Sequence, residues 1–176
     1  MQIGIIILLA FGLSMDAFSL SLIYGTLKLD KHTHIILSII VGIFHFFMPI
    51  FGFLVGKIIL SIIHINPKII AGIIFIILGI EMFLSIYKKE NIKVLTTIPT
   101  ILIFAFTVSI DSFSTGIGIN AISNNIISCS FIFSIVSTII TYLGLILGKK
   151  LNQIIGYTSN IIGALILISL GIFYVK

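Results

Sequence analysis

The sequence predicts an all-α membrane protein of six transmembrane helices, arranged as two inverted-topology three-helix repeats with both termini outside. Three observations carry this: the composition, six apolar runs of spanning length, and an internal repeat. Of 176 residues, 59% are hydrophobic and 9% charged, and mean hydropathy is +1.35. A soluble domain of this size needs about a quarter of its residues charged to cover its surface. The net charge of +5 comes from lysines that lie between apolar runs. They read as topology signals, and a nucleic-acid-binding surface is excluded. One cysteine, Cys129, rules out an intrachain disulfide framework and a thiolate zinc cluster.

Crossing a bilayer takes roughly 20 apolar residues per helix. Six runs qualify: 3–24, 35–56, 69–87, 98–120, 126–148 and 154–175. The first is not expected to be a cleaved signal peptide, because it lacks a basic start, carries Asp16 and has no small-x-small cleavage site. The second contains His45 and Pro49, and the third Glu81. The fourth carries Asp111, and the fifth ends on Gly144-x-x-x-Gly148. The connections are short, so residues 1–176 form one membrane domain. Seven lysines (28, 31, 88, 89, 93, 149, 150) lie after spans 1, 3 and 5, against three (57, 68, 176) on the opposite side. The positive-inside rule puts the seven-lysine side in the cytoplasm.

Residues 1–92 and 96–176 read as two copies of one unit. Ala10-Phe11-Gly12-Leu13-Ser14-Met15-Asp16-Ala17-Phe18-Ser19 returns 95 positions later as Ala105-Phe106-Thr107-Val108-Ser109-Ile110-Asp111-Ser112-Phe113-Ser114. Gly52-x-x-x-Gly56-Lys57 returns 92 positions later as Gly144-x-x-x-Gly148-Lys149, and Leu78-Gly79-Ile80 as Leu170-Gly171-Ile172. Three spans per copy is odd, so the second copy enters the membrane upside down. Inverted repeats are typical of secondary transporters, with the substrate near the midplane. Gly52, Gly56, Gly144 and Gly148 read as helix-packing positions on spans 2 and 5.

Three acidic residues lie inside spans: Asp16, Glu81 and Asp111. Each costs roughly 2.5–3.5 kcal/mol at a helix centre, so each needs a reason. Hydroxyls share the faces of both aspartates at helical spacing: Ser19 beyond Asp16, and Thr107, Ser114 and Thr115 around Asp111. Carboxylates with hydroxyls form an all-oxygen ligand set, which suits hard cations such as Mn²⁺ and Mg²⁺. Asp16, Asp111, Ser19 and Ser114 are therefore the candidate metal ligands. Protons can use the same carboxylates, which suggests cation/proton exchange. A soft ion would want sulfur, and only Met15 lies close to the motif, on another face. His45 is a candidate relay, gating or ligand residue, because Pro49 removes the donor for its carbonyl. It is equally read as a packing residue. Glu81 is a candidate gating partner.

Leu13-Ser14-Met15-Asp16-Ala17-Phe18, Met48-Pro49-Ile50-Phe51-Gly52 and Ser109-Ile110-Asp111-Ser112, on six short spans, resemble the MntP-type manganese efflux pumps of bacteria, which group with LysE-like exporters. The resemblance implies export of Mn²⁺ across the bacterial cytoplasmic membrane, with Asp16 and Asp111 in the cation path, no cofactor and no enzymatic activity. This chain departs from the family at three places. His45 and Asn160 stand where members often carry acids, and Glu81 where they often carry a base. The exchange at 45 and 81 implies an acid–base pair with its members swapped. Two other readings stay open: a non-transporting relative of the same fold, such as a sporulation-type protein or complex subunit, and an intramembrane diaspartyl protease. The protease would need Gly-x-Gly-Asp, where this chain has Val108-Ser109-Ile110-Asp111.

Straight upright helices set the two carboxylates about 10 Å apart along the membrane normal. Either tilt and unwinding bring them together, or the ion passes from Asp16 to Asp111.

Overall fold

The structure, a computed structural model, describes residues 2–26, 29–62, 66–85, 98–120, 122–123, 125–148 and 154–175, with the side chains of the last segment from residue 161 on. Among them are seven helical segments: α1 (Gln2–Gly25), α2 (Lys31–Ile62), α3 (Pro67–Ser85), α4 (Ile98–Val108), α5 (Ile110–Ile119), α6 (Ile126–Gly148) and α7 (Ile154–Val175). Five spans are long and apolar enough to cross a membrane; α4 and α5 together make one of them, Ile98–Ile119, and within α7 the apolar stretch Ile161–Val175 is shorter. The lysines at 28, 88, 89, 93, 149, 150 and 176 lie outside the described residues.

Helix starts follow local chemistry. Asp30 precedes α2, where its carboxylate accepts from the Thr33 hydroxyl and its carbonyl from the His34 N–H at 3.2 Å. Asn66 caps α3, its Oδ1 accepting from the Lys68 N–H at 3.0 Å, and Pro67 takes the first helical position, where no donor is needed. Asn125 caps α6 through the Ser128 N–H at 3.2 Å.

Two spans differ from the sequence expectation. The second runs Lys31–Ile62 rather than 35–56. Its 32 residues measure about 48 Å, so it overshoots a core roughly 30 Å thick. No breaker lies at either end of the apolar run, so helix continues into the interface. The span expected at 98–120 is interrupted at Ser109, whose backbone leaves helical geometry at φ −102° and ψ 3°.

Apolar side chains cover the outside of the bundle as well as filling its core, and the buried polar groups lie inside. On α2 the outward stripe is Ile35, Ile39, Ile43, Phe47, Phe51 and Ile58. The inward face carries Leu37, Val41 and Phe53 together with His34, Ser38, His45, Pro49, Gly52 and Gly56. On α6 the outward residues are Ile127, Phe131, Ile135, Ile139 and Leu143, and the inward ones include Ser130, Ser137, Thr141, Gly144 and Gly148. Lipid tails solvate the apolar face as well as protein does. The interior holds apolar side chains such as Leu9, Leu37, Phe75 and Phe133 together with small and hydroxylated residues, which allow close approach and cross-helix hydrogen bonding.

The contacts are α1 with α6 and α7, α3 with α7 and α5, and α2 with α6, α5 and α4. The repeated glycines make the closest ones. A methyl on Gly52 would collide with the Phe113 carbonyl of α5, and one on Gly56 would lie 3.0 Å from Ile117 Cα. A methyl on Gly144 would sit 2.9 Å from the Phe18 carbonyl oxygen of α1, and one on Gly148 2.9 Å from Gly25 Cα. The Gly-x-x-x-Gly faces of α2 and α6 therefore seat α5 and α1. The direct α2–α6 approach lies elsewhere, at Gly42 against Ser134 and Thr138.

Candidate cation site

Asp16 lies mid-way along the unbroken α1 and Asp111 in the first turn of α5; both are half-buried. The Asp111 carboxylate is within electrostatic range of Asp16 and, more weakly, of Glu81. Asp16 on α1 therefore acts on Asp111 more strongly than the exposed Glu81 of α3 does. Asp111 Oδ1 accepts the Ser112 N–H at 2.7 Å and faces the Ser112 hydroxyl at 3.5 Å. A carboxylate in the first turn also gains from the positive end of the helix dipole. The break at Ser109 creates that first turn two residues before Asp111.

Of the hydroxyls, Ser19 is buried and Ser114 half-buried. Thr115, one turn beyond Asp111, is fully buried, and its Oγ1 has no hydrogen-bond partner among the described residues. An unpartnered buried hydroxyl costs about 1–3 kcal/mol. Thr107 faces outward, its hydroxyl bonded to the Ile103 carbonyl at 2.8 Å. It is removed from the Asp111 face. Among the described residues no three or more His, Cys, Asp and Glu groups gather to hold a metal ion. An ion between the aspartates would therefore draw on hydroxyl, carbonyl or water oxygens as well.

Met15 is not the solitary thioether that the sequence suggests. A methyl on Gly163 would meet Met82 Cε at 2.5 Å and Met15 Cβ at 2.8 Å, so both methionines converge on α7.

Among the described residues no hydrogen bond joins His45 to Glu81. Glu81 is exposed on α3. His45 is buried, and its Nδ1 lies 3.0 Å from the Val41 carbonyl and 2.9 Å from Ser109 Oγ. The imidazole turns toward α4 and the helix break, because the α2 stripe that bears it packs on the fourth span rather than on α3. Asn160 has its side chain outside the described residues.

The structure adds a contact that reading the motifs singly missed. Ser109 Oγ donates to the Ala105 carbonyl at 2.7 Å and meets His45, while Ser14 Oγ donates to the Ala10 carbonyl at 2.6 Å and meets Ser137 Oγ at 2.9 Å. Ser14 and Ser109 are equivalent in the repeat, and so are His45 and Ser137. The 92-residue offset would have paired them from sequence.

Residues 28–175 match the family described as "Putative manganese efflux pump". The chain belongs to this family, MntP. The manganese efflux pump homologue of Bacillus pumilus is 34% identical over 166 residues, covering 94% of this chain and 90% of the relative. That of Oceanobacillus iheyensis is 36% identical over 169 residues, covering 96% and 93%. Both alignments span nearly the whole of this family member. No solved structure matches it. Membership, together with five membrane-capable helices, makes the protein a multi-pass transporter of the bacterial cytoplasmic membrane. It is not an enzyme.

Proposed function

We propose that this protein exports a hard divalent cation, Mn²⁺ foremost, from the cytoplasm in exchange for protons. Asp16 and Asp111 bind the ion in turn, and Ser19, Ser114 and Thr115 supply hydroxyl oxygens. The observation that carries this reading is a repeat-related pair of half-buried intramembrane aspartates, one within electrostatic range of the other, in a chain whose relatives are named manganese efflux pumps. Mn²⁺ is then cargo rather than cofactor. Two carboxylates brought close repel each other when both are charged. A divalent cation relieves that repulsion, and so do protons once the cation has left. One pair of groups thereby serves both legs of an exchange.

The transporting unit in this proposal is a pair of inverted three-helix repeats with both termini outside. The contact pattern supports the two-repeat arrangement, since exchanging the repeats leaves the pattern unchanged. α1 on α6 exchanges with the α4–α5 span on α2, while α3 on α7 and α2 on α6 map onto themselves. Gly52 on Phe113 exchanges with Gly144 on Phe18, and Gly79 on Ala164 with Gly171 on Gly72. The two aspartates differ in one respect: α1 is continuous through Ser14, while the fourth span breaks at the equivalent Ser109. Unequal half-sites favour a handover of the ion from Asp16 to Asp111 over one shared site.

The test is cellular metal content and Mn²⁺ tolerance in bacteria lacking their own exporter, with and without this chain. Asp16→Asn and Asp111→Asn should each abolish tolerance with the protein still inserted, because the amide cannot bind the cation with charge. Full tolerance in both single variants would refute the assignment.

A further inference from the structure

His45 carries more than packing requires. One hydrogen assignment satisfies every contact of its Nδ1. The Ser109 hydroxyl donates to the Ala105 carbonyl, so its oxygen is free to accept. Nδ1, 3.0 Å from the Val41 carbonyl and 2.9 Å from Ser109 Oγ, must then be the protonated nitrogen. Nε2 is left with its lone pair. It is completely buried and has no hydrogen-bond partner among the described residues. A histidine that ligates a metal almost always donates its other N–H to a carbonyl or carboxylate, which fixes the tautomer and aims the lone pair. His45 has that dress before any metal arrives.

The repeat supplies the control. Ser137 occupies the equivalent place on α6 and makes the equivalent cross-helix bond, to Ser14 at 2.9 Å. A hydroxyl is enough to hold the two helices together, so that bond does not account for the second imidazole nitrogen. The His45 carbonyl is a further oxygen at the same place, since Pro49 offers no N–H to it.

We infer that His45 Nε2 is a nitrogen ligand on the cation path, beside the helix break that leads to Asp111. The inference rests on the reading of the chain as a divalent-cation exporter and adds to it a preference. Imidazole suits borderline transition metals, whereas Mg²⁺ and Ca²⁺ prefer oxygen alone. Mn²⁺ binds mainly through oxygen but opens the transition series, so the His45 station favours Co²⁺ and Zn²⁺ over Mn²⁺, and Mn²⁺ over Mg²⁺.

The experiment uses the full chain, purified and loaded with Mn²⁺, and reads ¹⁴N coupling to the bound ion by pulsed electron paramagnetic resonance. The wild type should show imidazole coupling. His45→Asn, which keeps a donor near the Nδ1 position and removes Nε2, should lose the coupling and bind Co²⁺ at least about tenfold more weakly. The reverse triple variant H32N/H34N/H64N, with His45 its one remaining histidine, should keep the coupling. This arm holds even if the His45 variant fails to fold. Bound Mn²⁺ without nitrogen coupling, or coupling lost in the triple variant, would overturn the station and leave the carboxylate exporter standing. A wild type that neither binds nor transports Mn²⁺ would overturn both.

Discussion

The repeated glycines allow a quantitative test of the close helix contacts. A methyl added at Gly144 would lie 2.7 Å from Ser21 Cβ and 2.9 Å from the Phe18 carbonyl oxygen, both on α1. Ordinary contacts begin near 3.4 Å, so α1 and α6 must part by about 0.5–0.7 Å locally, and neither a Cβ nor a backbone carbonyl has a rotamer by which to yield. Overpacking of this kind costs about 1–3 kcal/mol. Against it stands a gain of about 0.8–1.0 kcal/mol for replacing a helical glycine by alanine. Gly144→Ala should thus be net destabilising by up to about 2 kcal/mol. Gly52→Ala, which meets Phe113 and Gly116 on α5, should be destabilised at least as much. Gly4→Ala in α1 is the control: nothing lies within 4 Å of the new methyl, so only the propensity gain remains. Cys129, the single cysteine, is fully buried in α6 and reports unfolding when a thiol-reactive fluorophore reaches it. In a thermal ramp in detergent, Gly144→Ala and Gly52→Ala should react at lower temperature than wild type, and Gly4→Ala no lower. Unchanged midpoints for the two crowded positions would show that the packing argument is wrong.

Other consequences are more direct. Thr115→Val removes the unpartnered hydroxyl one turn from Asp111. Mn²⁺ affinity should fall while folding is preserved or improved, read by isothermal titration and by the Cys129 ramp. If the two repeats are inverted, cysteines placed at Lys89 and Lys150 in a Cys129→Ala background should be shielded from an impermeant maleimide in intact cells, and one at Lys57 labelled; the opposite pattern would reverse the topology. Outside the membrane, the Thr33 hydroxyl beside Asp30 holds that carboxyl below the usual carboxylate range. Its capping contribution is therefore present above the ordinary carboxylate pKa and lost as pH falls through the depressed value. Asp30→Asn should flatten that acid limb of stability, by a small amount because the group is exposed.

The all-helical membrane class and the position of each apolar helix were legible in the hydropathy pattern, and the motifs pointed to a metal cargo. Hydropathy counts residues along one helix, and a lone Asp in an apolar run is costly wherever its neighbours are. That is why the helices at 126–148 and 154–175, and the equivalence of Asp16 and Asp111 in the repeated motif, were legible without coordinates. The repeat offsets also contained the equivalence of His45 and Ser137. Tertiary structure decided what depends on helix rotation and partners. Gly52 and Gly144 look identical in sequence to any small-residue dimer motif, yet they seat α5 and α1 rather than each other. Met82 reaches Met15 because both pack on Gly163, a contact between α1, α3 and α7 that no spacing encodes. The break at Ser109 is the clearest case. Ser14 has the same residue type, the same back-bond to a carbonyl and the same motif around it, and its helix runs on. The cross-helix partner differs, a hydroxyl at Ser14 and an imidazole at Ser109. A motif specifies its own helix face, and the face of the helix opposite comes from residues far away in the chain.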